Sequence, residues 1–169
     1  MLNAEQMKLA AALQAAMSGD ADGVLDMPDG SKLRVERTDQ AGVKAILRHE
    51  PDTGFEARVF DPQETAPPAY PSYLPFIAGV PAMIGSDAGE KRFANWFGIK
   101  DRDGTLAMLA AHSTRAGWTQ IESKTESTPL GEMKTAHFAK GSFRRVVMVG
   151  GIAMFGFATL VDQPVGSGD

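Results

Sequence analysis

The sequence predicts an α+β fold: an antiparallel β-sheet with two main helices on one face and a proline-rich crossing segment. Three observations carry that expectation. Runs of alternating apolar and polar residues are separated by short turns, which suits antiparallel neighbours, because parallel ones need a crossover of about a dozen residues or more. Residues 3–18 and 105–116 carry apolar residues at helical spacing. Six of the ten prolines fall between Pro62 and Pro81, and proline this dense excludes a regular helix or a central strand.

Residues 3–18 have helix punctuation. Asn3 is placed to cap, Gln6 sits at the reciprocal position, and Leu2 is placed to pack on Met7. Leu9, Leu13 and Met17 make one stripe, which Ser18-Gly19 ends. A stripe this narrow wants a single flat partner, so both helices are expected on the same sheet face. Gly23–Met27 reads as a short strand closed by Pro28-Asp29-Gly30. Lys32–Thr38 then alternates, with Leu33 and Val35 opposed to Lys32, Arg34 and Glu36. Gln40-Ala41-Gly42 turns into Val43–Glu50, and Pro51-Asp52-Thr53-Gly54 into Phe55–Asp61. Charge along the outer positions predicts one solvated face. Residues 1–61 thus read as a helix plus meander, and 62–90 as the crossing segment between two halves. Pro68-Ala69-Tyr70-Pro71 has PxxP form but lacks the flanking basic residue of an adaptor-domain ligand.

The second half, 91–162, repeats the order strand, helix, meander and is expected to pack with the first half as one domain. Lys91–Ile99 is a strand. Asp103 is the expected cap of a helix over Thr105–Ala116, with Leu106, Leu109, Ala110 and Ser113 on one face and Gly117 as its left-handed stop. Trp118–Lys124 and Met133–Lys140 follow as strands, with polar Thr125–Glu132 between them. The order helix, Gly-Trp, meander resembles in outline small domains of bacterial proteins. In Phe143–Asp162, the apolar runs Val146–Val149 and Ile152–Val161 flank Gly150-Gly151. This is a hairpin signal, since a type I′ turn needs positive φ at both central residues. Both faces of that hairpin are apolar, so it should be covered on both sides or face a partner. The rival reading is a membrane helix over the sixteen uncharged residues Val146–Val161, preceded by Arg144-Arg145. It falls short of the roughly 17–25 apolar residues that span a bilayer. Residues 163–169 read as a frayed tail.

The chemistry is bounded mainly by exclusion. A net charge of −4 argues against nucleic-acid binding, which depends on neutralising phosphates. The chain has no cysteine, which removes disulfides, thiolate catalysis, zinc knuckles and iron–sulfur ligation. The N-terminus lacks the basic start and apolar core of a secretory signal, so the cytoplasm is the expected compartment. The periplasm is the alternative for a chain whose signal has been removed. His49, His112 and His137 share no ligand spacing. Asp101-Arg102-Asp103-Gly104 fails as a calcium loop, Gly85–Lys91 lacks the phosphate-loop order, and Gly-x-Ser-x-Gly is absent, since Gly166-Ser167-Gly168 in the tail does not match it. No catalytic residue, metal or cofactor is therefore expected.

What remains is a surface. Tyr70, Tyr73, Phe76, Trp96, Arg144 and Arg145 are the candidate ligand- or partner-binding residues, because aromatic and arginine side chains are enriched where proteins bind partners. The expected function is a non-enzymatic binding or assembly module that recognises a protein or small apolar ligand through its sheet and crossing segment. A homo-oligomer is compatible with that reading. One alternative is a small hydrolase or isomerase using His112 or His137 as a base beside Asp101 or Asp103. The other is a membrane-attached accessory protein using Val146–Val161.

Overall fold

Alternation in the N-terminal half becomes a meander of adjacent strands in the computed structural model, which describes residues 22–165 apart from 28, 88, 89, 130, 153 and 154. The strands are β1 (Gly23–Asp26), β2 (Lys32–Arg37), β3 (Val43–Glu50), β4 (Glu56–Phe60), β5 (Ala82–Asp87) and β6 (Lys91–Ile99). A helix, α1 (Arg102–Arg115), then carries the chain to the far edge of the same sheet. There β7 (Thr119–Thr128) begins a second meander through β8 (Gly131–Lys140), β9 (Phe143–Ile152) and β10 (Phe155–Pro164). The order is β1-β2-β3-β4-β5-β6-β10-β9-β8-β7, so β10 returns to lie antiparallel beside β6.

Strand residues alternate between two faces. One face carries α1 and the 61–81 segment over a core that includes Trp96, Ile99, Leu109, Phe138, Val147, Val149 and Leu160. The opposite face carries a second apolar cluster built on Leu33, Val35, Ala45, Leu47, Ala57 and Val59. Beyond the 61–81 segment the helix-bearing face turns charged. There Arg48 bridges Glu36 at 2.8 Å and Glu56 at 3.5 Å, and Arg58 bridges Glu56 at 3.1 Å. These pairs are solvated and contribute only about 0–1 kcal/mol each.

The architecture corrects several expectations. The described residues hold a ten-stranded antiparallel sheet and a single helix, a largely all-β protein and not an α+β fold with two main helices. The helix expected over 3–18 lies outside the described residues. The proline-rich segment does not cross between halves. It is an excursion between β4 and β5, which pair directly with each other. Residues 82–87, assigned to that segment, form strand β5 because Ala82 and Ile84 alternate inward just after the last proline. Polar Thr125–Thr128 is part of β7, since an edge strand exposed on both faces needs no apolar alternation. The cap of α1 is Asp101, whose Oδ1 accepts the Gly104 N–H at 2.9 Å, while Asp103 bonds Lys134 instead. Gln163 and Pro164 continue β10 opposite Arg144 and Phe143, so strand order reaches into the expected tail.

The most instructive correction concerns Gly150-Gly151. Both lie within β9, paired with Phe157 and Gly156, and neither has positive φ. The hairpin exists, but its strands continue to Ile152 and resume at Phe155. These glycines serve close approach, not turning. A Cβ on Gly151 would collide with the Arg102 guanidinium, and one on Gly150 would lie 3.0 Å from the Phe157 ring. Residues 146–152 and 155–161 therefore belong to two antiparallel strands and not to a membrane helix. No helix among the described residues is long and apolar enough to cross a membrane.

Candidate functional site

The candidate site forms where the end of α1, the 61–81 segment and the start of β6 meet the β8–β9 turn. Its foundation is a buried ion pair. Arg145 on β9 and Asp162 on β10 are direct cross-strand partners facing the helix. Arg145 Nε and Nη2 donate to the two Asp162 carboxylate oxygens at 2.7 and 2.8 Å. Nη1 donates to Ser113 Oγ at 3.0 Å, and the Ser113 hydroxyl donates in turn to the Leu109 carbonyl at 2.8 Å. The Trp118 ring covers the guanidinium at 4.4 Å. Arg145 is 2 % exposed and Asp162 0 %. A charge this deep is tolerable only because each of its polar atoms has a partner.

Above this foundation the end of α1 is built to leave an opening. Gly117 takes φ of +93°, and the Trp118 N–H returns to the Ser113 carbonyl at 3.0 Å, reversing the chain into β7. Lys140 Nζ donates to the Ala116 carbonyl at 2.7 Å, a cation against the negative end of the helix dipole. Across the gap, His112 Nε2–H donates to the Tyr73 carbonyl at 3.1 Å and ties the helix to the proline-rich segment. A carbonyl can only accept, so this bond places the proton on Nε2.

The Tyr73 ring lies over the Arg92 guanidinium at 4.0 Å. Arg92 also reaches Asp162 at 3.4 Å, but Asp162 is already taken by Arg145, and the Arg92 side chain remains 40 % exposed. Burial pushes the Tyr73 phenol above its ordinary range; the Arg92 charge opposes that shift. The result is a cleft of about 580 Å³ with Arg92 and Lys140 facing Trp118, Phe143 and Tyr73, and Glu90 at its rim. A second cleft of about 440 Å³ lies on the other side of the Tyr73–Arg92 stack, against Glu56, Arg58 and Ser86. In comparisons with known proteins, no family model, no curated protein and no solved structure matches this chain.

The six sequence-selected residues separate into distinct roles. Tyr73 and Arg145 line the cleft. Trp96 is 1 % exposed and belongs to the core. Its Nε1–H donates to Tyr70 Oη at 3.3 Å, and Tyr70 donates to the Pro75 carbonyl at 2.5 Å. Tyr70 packs edge-on against both Phe60 and Phe76, so it and Phe76 hold the proline-rich segment to the sheet. Burial pushes the Tyr70 phenol up to about 12, partly offset by the Trp96 hydrogen bond. Arg144 faces the other side of β9 and donates to the Gly141 and Phe143 carbonyls of its own turn.

Arg92, Trp118, Lys140 and Asp162 complete the site without having been selected, together with His112, which the sequence offers only as the base of the enzymatic alternative. A signal for the buried pair was present, because Arg145 and Asp162 bracket an uncharged apolar run. Placing the turn at Gly150-Gly151 sets Arg145 opposite Gly156, six residues short of its true partner Asp162, and hides the pairing.

The acid–base pairings of the enzymatic alternative do not assemble. Asp101 and Asp103 sit at the start of α1, whereas His112 lies in its last turn. His137 faces the opposite side of the sheet from the helix, between the inward-facing Ala136 and Phe138. Among the described residues, no group of three His, Asp or Glu side chains stands together to hold a metal.

Proposed function

We propose that this protein is a non-enzymatic binding module that takes a small molecule with an apolar body and an acidic end in the cleft beside Trp118. The observation that carries this reading is the division of labour between two arginines. Arg145 is consumed by Asp162 and Ser113, while Arg92 is held only by a long contact and a ring face. An incoming carboxylate or phosphate gains a forked, charge-assisted contact from Arg92 without breaking the buried pair. Lys140 adds a second cation, and Phe143, 37 % exposed, offers apolar surface beside them. The segment between β4 and β5 supplies one wall through Tyr73. Proline limits its freedom in the empty state, so less ordering is left to oppose binding.

The test is calorimetric titration with octanoate, with octanol as its uncharged counterpart. Octanoate is expected to bind and octanol to bind at least tenfold more weakly. Arg92→Gln and Lys140→Met should each weaken octanoate, while Arg144→Gln on the other face should not. Equal binding of octanoate and octanol, or an Arg92→Gln variant with unchanged affinity, overturns the reading.

A further inference from the structure

Among the described residues the sheet ends on one side in a four-residue strand, β1, and on the other in β7, which runs for ten residues with Thr119–Ser127 all exposed. We propose that β7 is an interaction surface for a second copy of this chain, paired strand to antiparallel strand about a two-fold axis at Thr125. An edge strand presents a row of outward N–H and C=O groups and so templates another strand. Whether the template is used, and by what, is decided by its side chains.

The ladder between β7 and β8 is irregular between Gln120 and Glu122, which leaves Glu122–Thr128 as the regular stretch. Thr125 is its midpoint. A two-fold there pairs the whole regular stretch with its copy, the self-complementary arrangement that a closed dimer requires. Glu122, Lys124 and Glu126 share the face of His137, Thr135 and Met133. On that face the axis sets Lys124 opposite Glu126 of the second copy, twice by symmetry, and Glu122 opposite Thr128. On the other face Ser123 meets Ser127 and Thr125 meets itself.

Neighbouring axes are worse. An axis at Lys124 sets Lys124 against Lys124 and Glu122 against Glu126, which is repulsive throughout. One at Ser123 keeps a Glu122–Lys124 pair but runs into the irregularity after Gln120. Within its own chain Lys124 reaches only Glu122, at 3.8 Å along the strand, and no ion pair to Glu126 occurs among the described residues. Charge on an edge normally turns foreign strands away. Here the same charges accept the chain's own copy in one register, a discrimination built from repulsion as much as attraction.

The absence of cysteine makes the register directly testable. In the proposed dimer the two copies of residue 125 have Cβ atoms about 4.5–5.5 Å apart, near enough for a disulfide to form with small adjustment. Under mild oxidation Thr125→Cys is expected to form a covalent dimer rapidly. Ser123→Cys and the turn variant Ser142→Cys should not exceed the rate of random collision. By sedimentation equilibrium the unaltered chain should be a dimer of 18.0 kDa subunits. K124E should be monomeric, and the swap K124E/E126K should restore the dimer. A chain that sediments as a monomer at every concentration overturns the proposal. So does a K124E variant that stays dimeric, or cross-linking of Thr125→Cys no faster than that of Ser142→Cys. Rescue by K124E/E122K in place of K124E/E126K also overturns it, since that result puts the axis at Ser123.

Discussion

Arg145 shows how a single side chain can be indispensable in place and replaceable in kind. Removing its charge alone, as in Arg145→Met, leaves the Asp162 carboxylate buried with only the long Arg92 contact. The expected cost is about 3–5 kcal/mol by urea unfolding. Replacing both partners, Arg145→Met with Asp162→Leu, should recover much of that loss, because an apolar pair carries no desolvation cost. Gly151→Ala tests the other residue-scale feature. Its new methyl meets the Arg102 guanidinium and the Phe155 carbonyl, and a destabilisation of roughly 1–3 kcal/mol is expected from the forced shift. Tyr70 gives a pH signature. Its folded-state phenol titrates near 12 against 10.0 for an ordinary tyrosine, so the unfolded chain loses the proton first. The stability this contributes is complete below pH 10 and falls as pH rises toward 12. Tyr70→Phe should flatten that part of the stability profile.

At the scale of elements, the proline-rich segment and the helix end divide structural from binding duties. Tyr70→Ala removes the anchor that joins Trp96, Phe60 and Phe76, so it should lower the thermal midpoint. Tyr73→Ala strips one wall of the cleft and should act chiefly on octanoate affinity. That split differs from the equal, purely surface roles the sequence suggests for the two tyrosines. Both stand between prolines, and nothing in the local pattern tells which ring turns inward. Leu109→Ala should cost about 2–5 kcal/mol, since Leu109 is fully buried between α1 and the sheet. The helix was legible from its stripe and its glycine stop. Its cap lies two residues before the Asp103 that the sequence suggests, and its first residue three before Thr105, because Asp101 and Asp103 are equally good caps on paper and only tertiary contact gives Asp103 to Lys134.

For the whole molecule, seven described strands could be read at least in part from alternation, and the last hairpin from its paired apolar runs. Strand β5 is hidden because it follows the prolines directly and is short. The polar end of β7 is hidden because an edge exposed on both faces lacks a periodic signal. The cleft was the least legible feature. Arg92, Lys140 and Asp162 come from separate strands and converge only once the turn of β9–β10 is set in its true register.

The return of β10 to β6 also dictates an order of assembly. Every other ladder in the sheet joins strands consecutive in the chain, whereas here Arg92 finds Asp162 seventy residues away. The entropy of closing a loop grows with its length, so this seam closes at greater cost than any hairpin. Each meander is therefore expected to nucleate locally, with the two joined last at the β6–β10 seam. Trp96 lies on that seam, directly opposite Ala158. Its fluorescence in stopped-flow refolding of a Trp118→Phe variant is therefore expected to lag behind the far-ultraviolet signal of strand formation.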